Sequence, residues 1–377
     1  MSLRVLWVTN DLPPRTGGIQ QFVINLLRRV HPATSVALGP GGDLGAEQAD
    51  AAELHRTVRA PGPVLPTAST VRLVLDVART HRPDVIVLGA AWPLGAIAAR
   101  LRAALDVPVV ALSHGLEAGM ASAGGGALIA RATRDLAAVT TISRFTADRL
   151  ADHLRAARVR ELPPGVDVDR FTPQVSGAAM RQRFGVPDAA VLVGCVSRLV
   201  RRKGQDTLLR AWPEIAHAHP DAWLAVVGEG PLETRLQSQL RAMGPGSRVV
   251  LTGAVDWEQL PATYAALDVF AMPCRTRWAG VDVEGLGIVY LEAQATGVPV
   301  IAGRSGGAPE TVLDARAGDT VDGRDIAAVT AALDRWVGDA SARGAAAAPA
   351  RDSVVQRYSW EAIATRFAAL LDEVAAT

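Results

Sequence analysis

Val191-Leu-Val-Gly-Cys-Val-Ser197 runs into Arg198-Leu-Val-Arg-Arg-Lys-Gly204 and then into Gln205-Asp-Thr-Leu-Leu-Arg-Ala-Trp-Pro-Glu-Ile215. The first run is continuously apolar and the last has apolar residues at helical spacing, with a basic loop between them. That order reads as strand, loop and helix, one βα unit of a parallel sheet covered on both faces. Downstream the pattern repeats, with strands at Trp223–Val227, Arg248–Leu251, Val269–Met272 and Val298–Ile301 and a helix at Leu232–Ala242. Upstream a second series has strands at Leu3–Val8, Val36–Leu38, Val85–Leu88, Val109–Leu112 and Val139–Ile142, and helices that include Ile19–Val30 and Val71–Thr80. Two series predict two doubly wound α/β domains. A turn cluster, Pro163-Pro164-Gly165, follows the strand Arg160–Leu162 and marks the break. The expected division is 1–169, 170–356 and a terminal segment 357–377 containing the amphipathic helix Trp360–Ala376. Gly124–Gly126 reads as a flexible loop and Ala345–Ala350 as an Ala/Pro linker.

The length of 377 residues agrees with two cores, and 49% hydrophobic with 20% charged residues is a globular composition. A net charge of +1 argues against a dedicated nucleic-acid binder, which needs a basic excess. The charge is mildly uneven, +4 over residues 1–170 and −3 over the rest, which allows a peripheral contact of the first half with an anionic membrane. Two cysteines, Cys195 and Cys274, lie in apolar runs and are expected as buried free thiols. With no signal-peptide pattern and no long apolar span, the expected location is the cytoplasm. The cations are 38 arginines and one lysine, Lys203.

Ligands of doubly wound sheets sit beyond the carboxyl ends of the strands, so two facing domains predict a site in the cleft between them. The candidate residues fall at such strand ends. Gly17-Gly18 closes the loop Pro13–Gly18 at a helix start, where backbone N–H groups and the helix dipole favour an anion; a plain tight turn is the other reading. Arg198 and Lys203, five apart on a strand-to-helix loop, can neutralise a diphosphate. Glu284 and Glu292, eight apart in Glu284-Gly-Leu-Gly-Ile-Val-Tyr-Leu-Glu292, bracket a helix start near Gly287, and Glu292 can accept two hydrogen bonds from a vicinal diol such as ribose. His114 ends a first-half strand and can bind a sugar hydroxyl or donate to a developing charge. Gly306-Gly307 precedes a helix start containing Pro309, and Gly228–Pro231 and Gly253–Val255 are candidates for a base pocket. Asp167-Val-Asp169 reads as a hinge, and no metal is expected. No Ser/His/Asp grouping, zinc spacing or Walker A run occurs.

In this order, these motifs resemble the retaining family-4 glycosyltransferases of GT-B fold, over nearly the whole chain. The branch most similar is the actinobacterial one that mannosylates phosphatidylinositol mannosides. The resemblance rests on Val8–Gln20, Ser197–Gln205, Phe270–Glu310 and the Pro-Pro-Gly-Val-Asp junction with Phe171. It implies a metal-independent hexosyltransferase that needs no cofactor beyond a nucleotide-sugar donor, GDP-mannose, and acts on a lipid acceptor at the inner membrane surface. It also implies that Gly17 and Gly18 approach the donor phosphate, that Arg198 and Lys203 hold the diphosphate, and that Glu284 contacts the donor sugar beside the Leu286, Gly287 and Ile288 amides. Glu292 would bind the ribose, His114 would contact the sugar, and the terminal helix would cross back onto the first domain. Leu116 departs from the pattern, since a second histidine stands there in the branch resembled. A soluble acceptor, such as an aglycone or aminocyclitol with a GDP- or UDP-sugar, is the alternative.

Overall fold

The computed structural model describes residues 2–15 and 17–377. The chain forms two compact units, Met1–Gly165 with Trp360–Thr377, and Val166–Ser359. The expected divisions were 169/170 and 356/357. The observed ones coincide with a pairing inside the second unit, where Val166 N–H donates to the Tyr358 carbonyl at 2.7 Å and Val166 bridges to Ser359.

The first unit carries strands β1 (Val5–Val8), β2 (Ser35–Pro40), β3 (Arg56–Ala60), β4 (Val85–Leu88), β5 (Val109–Leu112), β6 (Ala138–Thr141) and β7 (Val159–Glu161). They form one seven-stranded sheet in the order β3-β2-β1-β4-β5-β6-β7. Every pairing is parallel; Val5, for example, sits opposite both Ser35 and Val85. Strand alternation divides the core in two. Leu6 and Val8 face a cluster with the helices Ala68–His81 and Ala98–Leu105, while Val5 and Trp7 face the helices Gly18–Arg29 and Trp360–Ala375. The terminal helix buries Ile363, Phe367, Leu370, Leu371 and Val374 there, with the Phe367 ring 5.7 Å from Trp7.

The second unit carries β8 (Val191–Val196), β9 (Ala222–Val227), β10 (Val249–Gly253), β11 (Val269–Met272), β12 (Val300–Gly303) and β13 (Gly318–Val321), in the order β10-β9-β8-β11-β12-β13 and again all parallel. Each sheet therefore reverses its strand order once, between β1 and β4 and between β8 and β11. Loops that leave a reversal point diverge and open a crevice at the carboxyl edge.

Two expectations are corrected, and two strands are added. Ala345–Ala350 is not a linker but lies inside the helix Ala340–Tyr358, because Ala346, Ala350, Val354 and Tyr358, four apart, form one buried stripe. Alanine has the highest helix propensity, and that stripe outweighs Pro349. Gly124–Gly126 is not an open loop but continues into the helix Gly126–Thr133, with one break at Gly124. Strands β3 and β13 were not anticipated; both are partly exposed edges without a continuous apolar run.

Candidate functional site

The two units are described separately, beginning with the second. After β8 the chain makes a 3-10 turn at Arg201–Lys203 and enters the helix Gln205–Ala218 through Gly204. Gly204 has φ +84°, and a Cβ there would run into the Pro273 carbonyl of the loop after β11. The two reversal-point loops can therefore touch only because this residue is glycine. The contact brings together residues far apart in sequence. Lys203 is buried, and its Nζ lies 2.7 Å from Glu284 Oε2. Arg202 sits 3.6 Å from both Glu284 and Asp282, and Asp282 also pairs with Arg277 at 3.2 Å. Glu284 is itself held by its backbone. Its N–H donates to Ser305 Oγ, and its carbonyl accepts from Gly307 N–H at 3.0 Å. Gly306, at φ +57°, leaves room for that carbonyl. The Gly306-Gly307 pair, expected at a helix start, thus seats Glu284 before the short 3-10 turn Ala308–Thr311.

Gly287 caps the helix Ile288–Ala295, and the backbone at Leu286, Gly287 and Ile288 stands at its start, where the first amides have no intrahelical acceptor. Four residues inside, Glu292 is buried, with Tyr264 Oη donating to its Oε2 at 2.7 Å. Burial pushes the Glu292 carboxyl up to about 7, against the lowering pull of the Tyr264 hydrogen bond and the Arg170 charge. Burial also holds the Tyr264 hydroxyl well above its usual range. Glu292 opens into a hollow of about 660 Å³ that Arg198, Gly228, Gly230, Val255, Trp257 and Tyr264 also line. Arg198 is exposed there, and its loop is held by Gln205, whose Nε2 donates to Ser197 Oγ at 2.9 Å and to the Arg198 carbonyl at 3.1 Å. Arg198 and Glu292 thus share one hollow, while Lys203 and Glu284 form an ion pair. The turns Gly228–Pro231 and Gly253–Val255 contribute Gly228, Gly230 and Val255 to the lining.

Tyr264, Trp257 and Arg170 were missed. Arg170 lies 4.7 Å over the Trp257 ring, and Tyr264 reaches Glu292 from a separate helix. Nothing in their local sequence spacing could have joined them.

In the first unit, Gly17 and Gly18 begin the helix Gly18–Arg29, and the Gly17 carbonyl accepts from Gln21 N–H at 2.9 Å. Thr16, within the Pro13–Gly18 loop, lies outside the described residues. Asp11, at the carboxyl end of β1, accepts from Gln20 Nε2 at 2.5 Å, and desolvation raises its carboxyl above the ordinary value. His114 follows β5, with its Nε2 2.6 Å from the Gly89 carbonyl and its ring edge-on to Phe22 at 5.7 Å. A carbonyl only accepts, so Nε2 bears the proton, and in the neutral ring Nδ1 is an acceptor. His114 is thereby set to receive a hydroxyl hydrogen bond; donation to developing charge would require the protonated ring. Leu116 is 70% exposed.

Among the described residues, no group of three or more His, Cys, Asp or Glu is placed to hold a metal ion. Both cysteines are buried free thiols, raised by burial to about 12.

Two family models match the chain, one over most of each unit. Residues 16–170 match Glycosyltransferase Family 4, and residues 178–353 match Glycosyl transferases group 1. The chain is 42% identical over 374 residues to the GDP-mannose-dependent alpha-(1-6)-phosphatidylinositol monomannoside mannosyltransferase of Mycolicibacterium smegmatis, covering 97% of this chain and 98% of that protein. It belongs to the family-4 glycosyltransferases. A Corynebacterium glutamicum member of this family, named for a monoacylated form of the same acceptor, is 39% identical over 98% of both chains. Among solved structures, Anabaena HepE in complex with UDP superposes with a TM-score of 0.81 at 20% identity, over 98% of this chain and all of that one. Sucrose-phosphate synthase of Thermosynechococcus elongatus gives 0.78 at 23% identity, over 99% of both. At these identities the likeness concerns the fold, which is GT-B with two Rossmann-like units.

Proposed function

We propose that this family-4 glycosyltransferase moves mannose from GDP-mannose onto the mannose of a phosphatidylinositol monomannoside, forming an alpha-(1-6) link with retention at the anomeric carbon. The observation that carries the reading is the pairing of the donor-type residues in the second unit, Lys203 with Glu284 and Tyr264 with Glu292, at one sheet edge. The 42% identity to enzymes named for that reaction supports the donor and the acceptor together. The relatives' named acceptors are lipids, so a soluble acceptor is not favoured.

In this reading the second unit binds the donor. The ribose diol donates to Glu292, and the base lies in the hollow lined by Val255 and Trp257. The diphosphate takes Arg198 and Lys203, assisted by the amides at Leu286, Gly287 and Ile288. Lys203 is shared between Glu284 and the phosphate, which leaves Glu284 able to accept from a sugar hydroxyl. As the bond from the anomeric carbon to the phosphate oxygen breaks, negative charge grows on the diphosphate, and these fixed charges stabilise it. The acceptor oxygen bonds to the same face of the sugar while its proton passes to the departing phosphate. The first unit supplies the acceptor side, with His114 accepting from a sugar hydroxyl and Gly17-Gly18 letting the backbone approach the donor phosphate. No cofactor beyond the donor takes part. Among the described residues no helix is long and apolar enough to cross a membrane, so in this reading the enzyme meets its lipid peripherally, at the inner face.

The test is incubation with GDP-mannose and vesicles holding phosphatidylinositol monomannoside, with product mass and linkage read by mass spectrometry. A dimannoside with an alpha-(1-6) link is expected. Transfer only to soluble acceptors, or only from a uridine donor, contradicts the reading.

A further inference from the structure

A second hollow has Arg201, from the same 3-10 turn, in its wall. It measures about 440 Å³ and shares no lining residue with the hollow around Glu292. Its wall is formed by Arg201, Arg210, Arg275, Arg277 and Arg324 together with Asp206 and Thr207, and Trp278 also lines it. The unit that contains it holds 20 cations against 22 acids, so an arginine-rich composition alone does not account for five guanidinium groups around one space.

The acids nearby pair with only two of the five, Arg275 and Arg277. Asp206 is engaged by Arg275, whose Nη2 donates to both of its oxygens at 2.7 Å. Asp282 is divided between Arg277 and Arg202. Arg324 donates to the Thr276 carbonyl, which is neutral. Arg201 and Arg210 are exposed, and their guanidinium groups have no hydrogen bond or ion pair among the described residues. Like charges that line one space repel one another, and an anion between them removes that cost.

The wall is also fixed in place. Arg275 Nη1 donates to Thr207 Oγ1 at 2.7 Å, and that hydroxyl donates to the Gly323 carbonyl at 3.0 Å. The first turn of the helix after β8 and the loops after β11 and β13 are thereby tied together. Trp278 and Ala279 are consecutive non-glycine residues at φ +49° and +50°. Such backbone is sparsely populated and concentrates at ligand clamps. It leaves the indole 68% exposed, with the Arg277 guanidinium 4.6 Å over its ring.

We propose that this hollow binds a phosphate group, a phosphomonoester or phosphodiester, at a site distinct from the nucleotide hollow. Arginine forks match phosphate oxygens two at a time, and several can engage one group from different sides. The phosphate can belong to a soluble molecule or to a lipid headgroup; in the second case Trp278 stands where an indole enters the headgroup layer. The site does not depend on the donor reading.

The test uses the full chain saturated with GDP, so that the nucleotide hollow is filled. One arm titrates inorganic pyrophosphate by calorimetry. The other sediments the protein with phosphatidylcholine vesicles, with and without phosphatidylinositol. Binding in either arm is expected, weakening as salt rises. The double variant Arg201→Ala/Arg210→Ala should weaken it about tenfold or more, at unchanged melting temperature and GDP affinity; Arg201→Gln/Arg210→Gln is the conservative check. Trp278→Ala should reduce vesicle binding and leave pyrophosphate binding intact if the source is a lipid. If neither probe binds, or the double variants bind as wild type does, the proposal is wrong. If GDP itself fails to bind, the donor reading falls, and the arginine dependence of pyrophosphate binding still decides this one.

Discussion

Both units have the same wiring around their first strand, β3-β2-β1-β4 in one and β10-β9-β8-β11 in the other, yet their reversal points carry different chemistry. In the second unit the loops bring charge into the protein: Lys203 and Glu284 are both buried and paired, and Glu292 lies buried under Tyr264. In the first unit the corresponding edge offers Gly17 and Gly18, a half-buried His114 bonded to a backbone carbonyl, and Asp11 bonded to Gln20. The topology supplies a crevice in each unit but does not dictate its charge. In the reading proposed above, the buried Lys203 of the second edge faces the leaving diphosphate, and His114 of the first edge meets a sugar hydroxyl.

The largest effect that would sharpen this contrast is expected from Lys203→Ala. Removing a buried cation from a developing diphosphate should lower transfer by about a hundredfold to a thousandfold. It also leaves Glu284 buried beside Arg202 alone, so a thermal melt must accompany the rate. Near-normal turnover at saturating donor would break the contrast. His114→Ala should cost less, about tenfold in transfer, with GDP affinity unchanged, because its Nδ1 offers one neutral hydrogen bond.

Glu292 gives a pH-dependent test. Its carboxyl titrates near 7 in the folded protein, against about 4.5 when unfolded. The folded state therefore holds the proton more tightly, and this group's stabilising contribution is full below about 4.5 and is lost as pH rises to about 7. A ribose diol needs the ionised acceptor, so GDP affinity should rise from pH 6 to pH 8 with proton release, seen as a buffer-dependent binding enthalpy. Glu292→Gln should bind several-fold more weakly and lose that dependence. The smallest expected effect is that of a chelator, which should leave transfer unchanged; arrested turnover would show that transfer requires a metal ion.

The same physical contrast explains what could be read from the sequence. Buried central strands such as β8 and β11 announce themselves as continuous apolar runs, and the loops at their ends follow by topology. Edge strands β3 and β13 lack that signal because part of each faces solvent. The helix Ala340–Tyr358 was hidden because its Ala/Pro stretch has the composition of a linker, while its burial comes from neighbours remote in sequence. In the site, Arg198, Lys203, Glu284 and Glu292 stood out through position and spacing. Their pairing did not, since Lys203 meets Glu284 only through the close approach of two loops at Gly204. Tyr264 and Trp257 come from segments with no local mark of function.

The most direct measurement is calorimetric titration of GDP into the wild-type protein, Lys203→Ala and His114→Ala under one set of conditions. Lys203→Ala is expected to lose most of the affinity, while His114→Ala binds as wild type does. Equal binding by wild type and Lys203→Ala, or a loss confined to His114→Ala, would contradict the assignment of the donor diphosphate to the second unit.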